Sequence, residues 1–131
     1  MSGCDTHPVR VEIEVATNEF SASPGRFSEA ARTHYASLYA LPGAMHSGFA
    51  QFAAFDQDAA DNRAFVAKGK LTMKVLAVGG ERSFGTSMAT VMRFAAENVE
   101  GAVVPDSGHW IMEENPQATV KLVRVFLGPA A

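Results

Sequence analysis

The chain has one cysteine, Cys4, in 131 residues, which excludes an intrachain disulfide and leaves zinc only scattered histidines to bind. It has no run of Lys and Arg and a formal net charge of −3, so nothing in it favours nucleic acid or an anionic membrane surface. No apolar stretch approaches the roughly 18 residues of a membrane span, and Met1 to Arg10 lack a charged segment followed by an apolar one. A cytoplasmic location is the expectation. Neither Gly-x-Gly-x-x-Gly nor Gly-Lys-Ser/Thr occurs, so Gly79-Gly80 and Gly85 read as a strand exit and a helix start, and no cofactor is expected. Internal repeats and low-complexity segments are absent as well. So is Gly-x-Ser-x-Gly or any equivalent elbow, which leaves a general base without a nucleophile to activate.

The apolar pattern that is present changes period along the chain. From Pro8 to Ala16 it alternates, with Val9, Val11, Ile13 and Val15 on one face and Arg10, Glu12 and Glu14 on the other, which predicts a half-buried amphipathic strand. Ser21 to Gly25 is turn-rich. Ser28 is placed to cap a helix carrying Phe27, Ala31, His34, Tyr35, Leu38 and Leu41, and Pro42-Gly43 ends it. A second stripe, Met45, Phe49, Phe52 and Phe55, is followed by polar Asp56-Gln57-Asp58 and a short helix through Phe65. Leu71 to Gly79 is almost continuously apolar, as expected of a parallel, interior strand covered on both faces. A helix over about 86–97 with Met88, Val91, Met92 and Ala95 on one side, then a strand at Ala102-Val103-Val104, completes a crossover unit. The last helix has Asn115 as N-cap and Pro116 at its first position. Val120, Val123, Phe126 and Leu127 are expected inward, and Gly128-Pro129 is the stop.

His109 is the residue with the most chemical content. It follows an apolar strand in Gly108-His109-Trp110 and precedes a helix start at Asn115-Pro116, the usual station of a hydrolase's general base. His34 and His46 lie on separate predicted helices with no carboxylate or cysteine at ligand spacing, so no metal site is expected. Tyr35 and Tyr39, four apart on one helix, either line a pocket or pack together. Met88, Met92, Trp110 and Met112 are open to the same two readings.

Three segments resemble the C-terminal half of an α/β-hydrolase of the epoxide hydrolase and haloacetate dehalogenase group. Tyr39 to Phe49 resembles the cap signature of that group, Lys70 to Glu81 the penultimate core strand and its loop, and Gly108 to Pro116 the catalytic-histidine loop and the start of the final helix. The resemblance implies a partial α/β-hydrolase fold: residues 27–68 as cap-like helices, then strand-helix-strand-helix over 69–131. Residues 1–26, strand and linker, match no family pattern. It further implies that His109 is a general base acting on an epoxide, ester or haloacid.

The departures shape the functional expectation. The group's nucleophile and oxyanion hole belong to a half with no counterpart in these residues, so the chain is expected to be inactive alone. Where many relatives carry the acid that orients the histidine, this chain has Ser83, which leaves Glu81 as candidate orienting acid and Asp106 as a second; a solvated loop carboxylate and a turn former are the respective alternatives. Epoxide-opening relatives often have a tyrosine pair followed by arginine where this chain has Gln51-Phe52-Ala53, and a phenyl ring cannot donate to an opening epoxide. Tyr35, Tyr39, Phe52 and Trp110 are the candidate pocket residues. An apolar strand stripped of its neighbours needs cover, which predicts a homodimer or a complementing chain. Three functions follow: a hydrolase completed by another chain, a non-catalytic relative that binds a small apolar ligand, or an interaction module using its sheet edge.

Overall fold

A computed structural model describes residues 7–128; Cys4 and Pro129 lie outside the described residues. Ser28 caps the helix that follows it as its side chain predicts, accepting a hydrogen bond from the Ala31 amide at 3.1 Å. That helix, α2 (Glu29–Tyr39), and its successors α3 (Ala44–Ala53) and α4 (Phe55–Val66) form the helical first part of the chain. Gly43, at φ 81°, makes the left-handed turn between α2 and α3 that a side chain would strain. Asp56 and Asp58 belong to the first turn of α4, where carboxylates suit the helix dipole, so the polar stretch is not a break between elements.

The N-terminal strand expectation is corrected. His7–Glu19 is a helix, α1, laid against α2. Alternation over so few residues also fits a helix, and an isolated strand would leave its backbone groups without partners. As a helix the segment pairs Arg10 with Glu14 at 2.6 Å and turns Ile13, Ala16 and Thr17 to one side, with Thr17 only 4% exposed. Val15 is exposed at 44%; the side chains of Val9 and Val11 lie outside the described residues.

Strand β1 (Leu71–Gly80) pairs in parallel with β2 (Ala96–Val104), joined by a short helix α5 (Ser87–Met92). The predicted helix over 86–97 is therefore too long and the predicted strand too short. Tight turns at Phe94 and Ala95 end the helix, and the Leu71 amide donates to the Ala95 carbonyl at 2.9 Å to open the ladder. Pairing across the sheet decides these residues against their local helical pattern. Among the described residues β1 has one neighbour, so it is not interior here, and only its second half is covered: Leu71 and Met73 are 46% and 63% exposed whereas Ala77 is 2% exposed.

A one-turn helix, α6 (Ile111–Glu114), leads into α7 (Pro116–Leu127), which Asn115 caps by accepting from the Ala118 amide at 3.2 Å. The inward face of α7 differs from the expected one. Thr119 is buried, Ala118, Leu122 and Phe126 are half-buried, and Val120, Val123 and Leu127 are exposed. The chain's own sheet is narrow enough to touch only one side of this helix.

Candidate functional site

The sheet's C-terminal end is packed tightly enough to fix a loop. Glycine is required at two crossings, since a Cβ on Gly80 would run into the carbonyls of Ser107 and Gly108, and one on Gly108 into the Phe20–Ala22 backbone. The loop from Pro105 is held from several sides. The Ser107 carbonyl accepts from the Arg82 amide at 2.9 Å, the Ser107 hydroxyl donates to the Pro105 carbonyl at 3.1 Å, and Asp106 takes a left-handed φ of 51°.

Glu114 is the residue that ties this loop to the N-terminal segment. It is 2% exposed, and one carboxylate oxygen accepts from the amides of Gly108 (3.0 Å) and Trp110 (3.2 Å). The other accepts from Ala22 (2.7 Å) and Ser23 (3.1 Å). Burial opposes the charge, but the Ser21 hydroxyl and the amides of Trp110, Ser23 and Gly108 outweigh it and hold the carboxyl below the usual glutamate range. Arg26 donates to the Glu114 carbonyl, and the His109 amide donates to the Phe20 carbonyl at 2.8 Å. The chain therefore clamps both flanks of His109 to the stretch between α1 and α2.

His109 itself is exposed, with its ring edge-on to Trp110 at 4.9 Å and tilted against Phe20 at 6.1 Å. Among the described residues no side chain hydrogen-bonds its ring. Glu81 instead accepts from the Asp106 amide at 2.9 Å, so the proposed orienting acid braces the loop one turn away from the imidazole. Asp106 serves as the turn former.

His109 lines a cavity of about 530 Å³ under the helices α1, α2 and α3. Tyr35, Tyr39 and Trp110 are in its wall with Phe27, Met45 and Phe49; Phe52 is not, lying 59% exposed against Phe55. Trp110 is fixed by its indole N–H, which donates to the Ala16 carbonyl at 3.2 Å, and by the edge of Phe27 at 6.3 Å. Tyr35 donates to Glu113, a bond that, with partial burial, raises the phenol's pKa above its ordinary value. The one aliphatic hydroxyl in the wall, Thr17, donates back to the Ile13 carbonyl at 2.9 Å and carries no base beside it. The cavity thus offers an apolar seat and an accessible imidazole, without a nucleophile paired to it among the described residues.

Glu113 and Glu114 are the functional residues the sequence reading missed. Their signal was a pair of carboxylates in an otherwise apolar turn, four and five residues past the histidine and directly before an Asn-Pro cap. No cluster of metal-ligating residues occurs among the described residues, and none of their helices is long and apolar enough to cross a membrane.

No family model matches the chain. A soluble epoxide hydrolase from a Corynebacterium species is 34% identical over 115 residues, which are 88% of this chain and 40% of that protein. Among solved structures, wild-type Cfl2 from Burkholderia cenocepacia is similar at 33% identity and TM-score 0.87, over 93% of this chain and 42% of its own. The epoxide hydrolase CorEH without ligand follows at 30% identity and TM-score 0.77, over 93% and 44%. A variant of aCif, at 20% identity and TM-score 0.83, shares the fold. The chain spans about two fifths of the length of these relatives. The matched 115 residues exceed the 105 from Phe27 onward, so the likeness reaches into the N-terminal segment. In sequence and in fold the chain corresponds to the C-terminal part of an α/β-hydrolase.

Proposed function

We propose that this chain carries the histidine and cap side of an epoxide hydrolase-like active site, with His109 as general base and the cavity beneath α1 to α3 as the seat of a small apolar substrate. The observation that carries this reading is a joint one: an exposed imidazole opens onto a mostly apolar cavity, and a buried carboxylate fixes the loop that bears it. A general base needs a nucleophile or an oriented water. No wall residue is a nucleophile paired to His109, so turnover by these residues alone is expected at background level. An epoxide, an ester and a haloacid remain the substrate classes.

A second reading is favoured by the bare end of β1, where Leu71 and Met73 are exposed, and by the uncovered face of α7, where Val120, Val123 and Leu127 are exposed. A second copy or a complementing chain covering that surface would bring the missing nucleophile in the second case, and would make a non-catalytic interaction module in the first. The deciding experiment is hydrolysis of a small epoxide, an activated ester and fluoroacetate by the purified chain beside His109→Ala at matched concentration. Equal, background rates are expected. Turnover that disappears in the variant would overturn the expectation of inactivity and require a nucleophile within the chain.

A further inference from the structure

The charges around the cavity are one-sided. Glu12 and Glu113 both contribute to its lining, and no Lys or Arg does. The neighbouring cations are engaged elsewhere. Arg10 bridges Glu14 and Glu29, and Arg26 donates to the Glu114 carbonyl. Arg32, whose guanidinium lies 5.8 Å from the Phe27 ring centre, donates to Thr17, Asn18 and the Pro24 carbonyl and is not part of the lining. The rest of the wall is mostly apolar, supplied by residues such as Ile13, Phe49 and Met112, and the donors it leaves to a carboxylate are the His109 ring and the Tyr39 hydroxyl.

Glu113 is the better placed of the two acids. It is half-buried and held by the Tyr35 hydroxyl, whereas Glu12 is exposed and has no side-chain bond among the described residues. An anion entering this space would lose water, meet no lysine or arginine and stand near a fixed negative charge, each of which disfavours it. A neutral amide or an ammonium group would meet only the first cost, and the ammonium would gain an attraction.

Resting on the reading of the cavity as a ligand seat, we infer that Glu113, fixed by Tyr35, makes it selective for neutral and cationic ligands against carboxylate anions. Haloacids then drop out of the three substrate classes, and uncharged electrophiles remain.

Trp110 is the sole tryptophan of the chain and stands in the cavity wall, so its emission reports occupancy without any need for turnover. Phenylacetamide, phenylacetate and phenethylammonium, nearly equal in size, are titrated into the full chain at neutral pH and again into Glu113→Gln. Phenylacetamide is expected to bind roughly tenfold or more tightly than phenylacetate, with phenethylammonium at least equal to the amide. In Glu113→Gln the acid should gain most of that factor while the amide is unchanged. Tyr35→Phe, which removes the donor that holds Glu113 in the wall, should narrow the discrimination between amide and acid, and serves if the first variant misfolds by circular dichroism; discrimination unchanged in Tyr35→Phe overturns the role of that bond. Equal binding of acid and amide to the unmodified chain overturns the selectivity and leaves the cavity a ligand seat. Selectivity that persists in Glu113→Gln overturns the assignment to Glu113. Binding of none of the three overturns the ligand seat itself, and the selectivity with it.

Discussion

The two ends of the β1–β2 ladder live in different environments. At the C-terminal end Val104 and Ser107 are fully buried, Gly79 and Gly80 are crossed by other backbone, and Glu114 satisfies amides from two distant segments. At the other end Leu71 and Met73 face outward, and along α7 the Val120, Val125 and Leu127 side chains are likewise uncovered. The chain spends its packing on the end that carries His109. Local hydrogen bonds and close backbone crossings suffice to fix a loop, whereas covering a strand along its length takes another layer of structure.

The strongest way to break the contrast is at Glu114. Replacement by Ala leaves four backbone N–H groups without their acceptor and should cost about 3 kcal/mol or more in urea unfolding, while Gln keeps one oxygen and should cost about half as much. A depressed carboxyl pKa contributes stability above the ordinary glutamate value and loses it as pH falls through the group's own lower value. Acid destabilisation between about pH 5 and pH 3 should accordingly be shallower in Glu114→Gln than in the unmodified chain. A steeper acid loss in the variant would count against the clamp.

Gly80→Ala attacks the same end by crowding instead of by lost bonds. A Cβ there meets the Ser107 and Gly108 carbonyls, so a loss of about 1–3 kcal/mol is expected, with altered exchange of the Gly108 and His109 amides by NMR. An unchanged midpoint would mean that the crossing is looser than its geometry.

The bare end should respond least in stability and most in association. Met73→Lys is expected to change the unfolding free energy by no more than about 0.5 kcal/mol, since the side chain is 63% exposed. If a second copy covers this surface, light scattering should show a dimer for the unmodified chain and a monomer for the variant. A monodisperse monomer before any substitution would remove the homodimer and sharpen the question of a complementing chain.

Much of this was legible in the chain itself. Ser28 and Asn115 are caps because a short side-chain oxygen can reach the free amides of a first helical turn, and both do so here. The apolar run from Leu71 and the Gly108-His109-Trp110 loop were equally plain. Less legible was α1, because alternation of apolar and charged residues from Val9 to Val15 fits two periods, and what chose between them was the neighbouring α2. The β2 boundary was likewise settled by pairing, since Ala96 to Val99 find their partners from Leu71 onward. For the site, sequence could name His109 and the tyrosines but ranked Glu81 and Asp106 above Glu113 and Glu114.

What the sequence by itself determined, then, is each element whose signal is contained within one turn or one strand: the caps, the glycine crossings as punctuation, the parallel apolar run and the histidine loop. Tertiary structure alone decided which carboxylate is buried and which cavity the imidazole faces. Those outcomes depend on groups some ninety residues apart meeting, as Ala22 and Glu114 do, and no local period encodes a meeting at that separation.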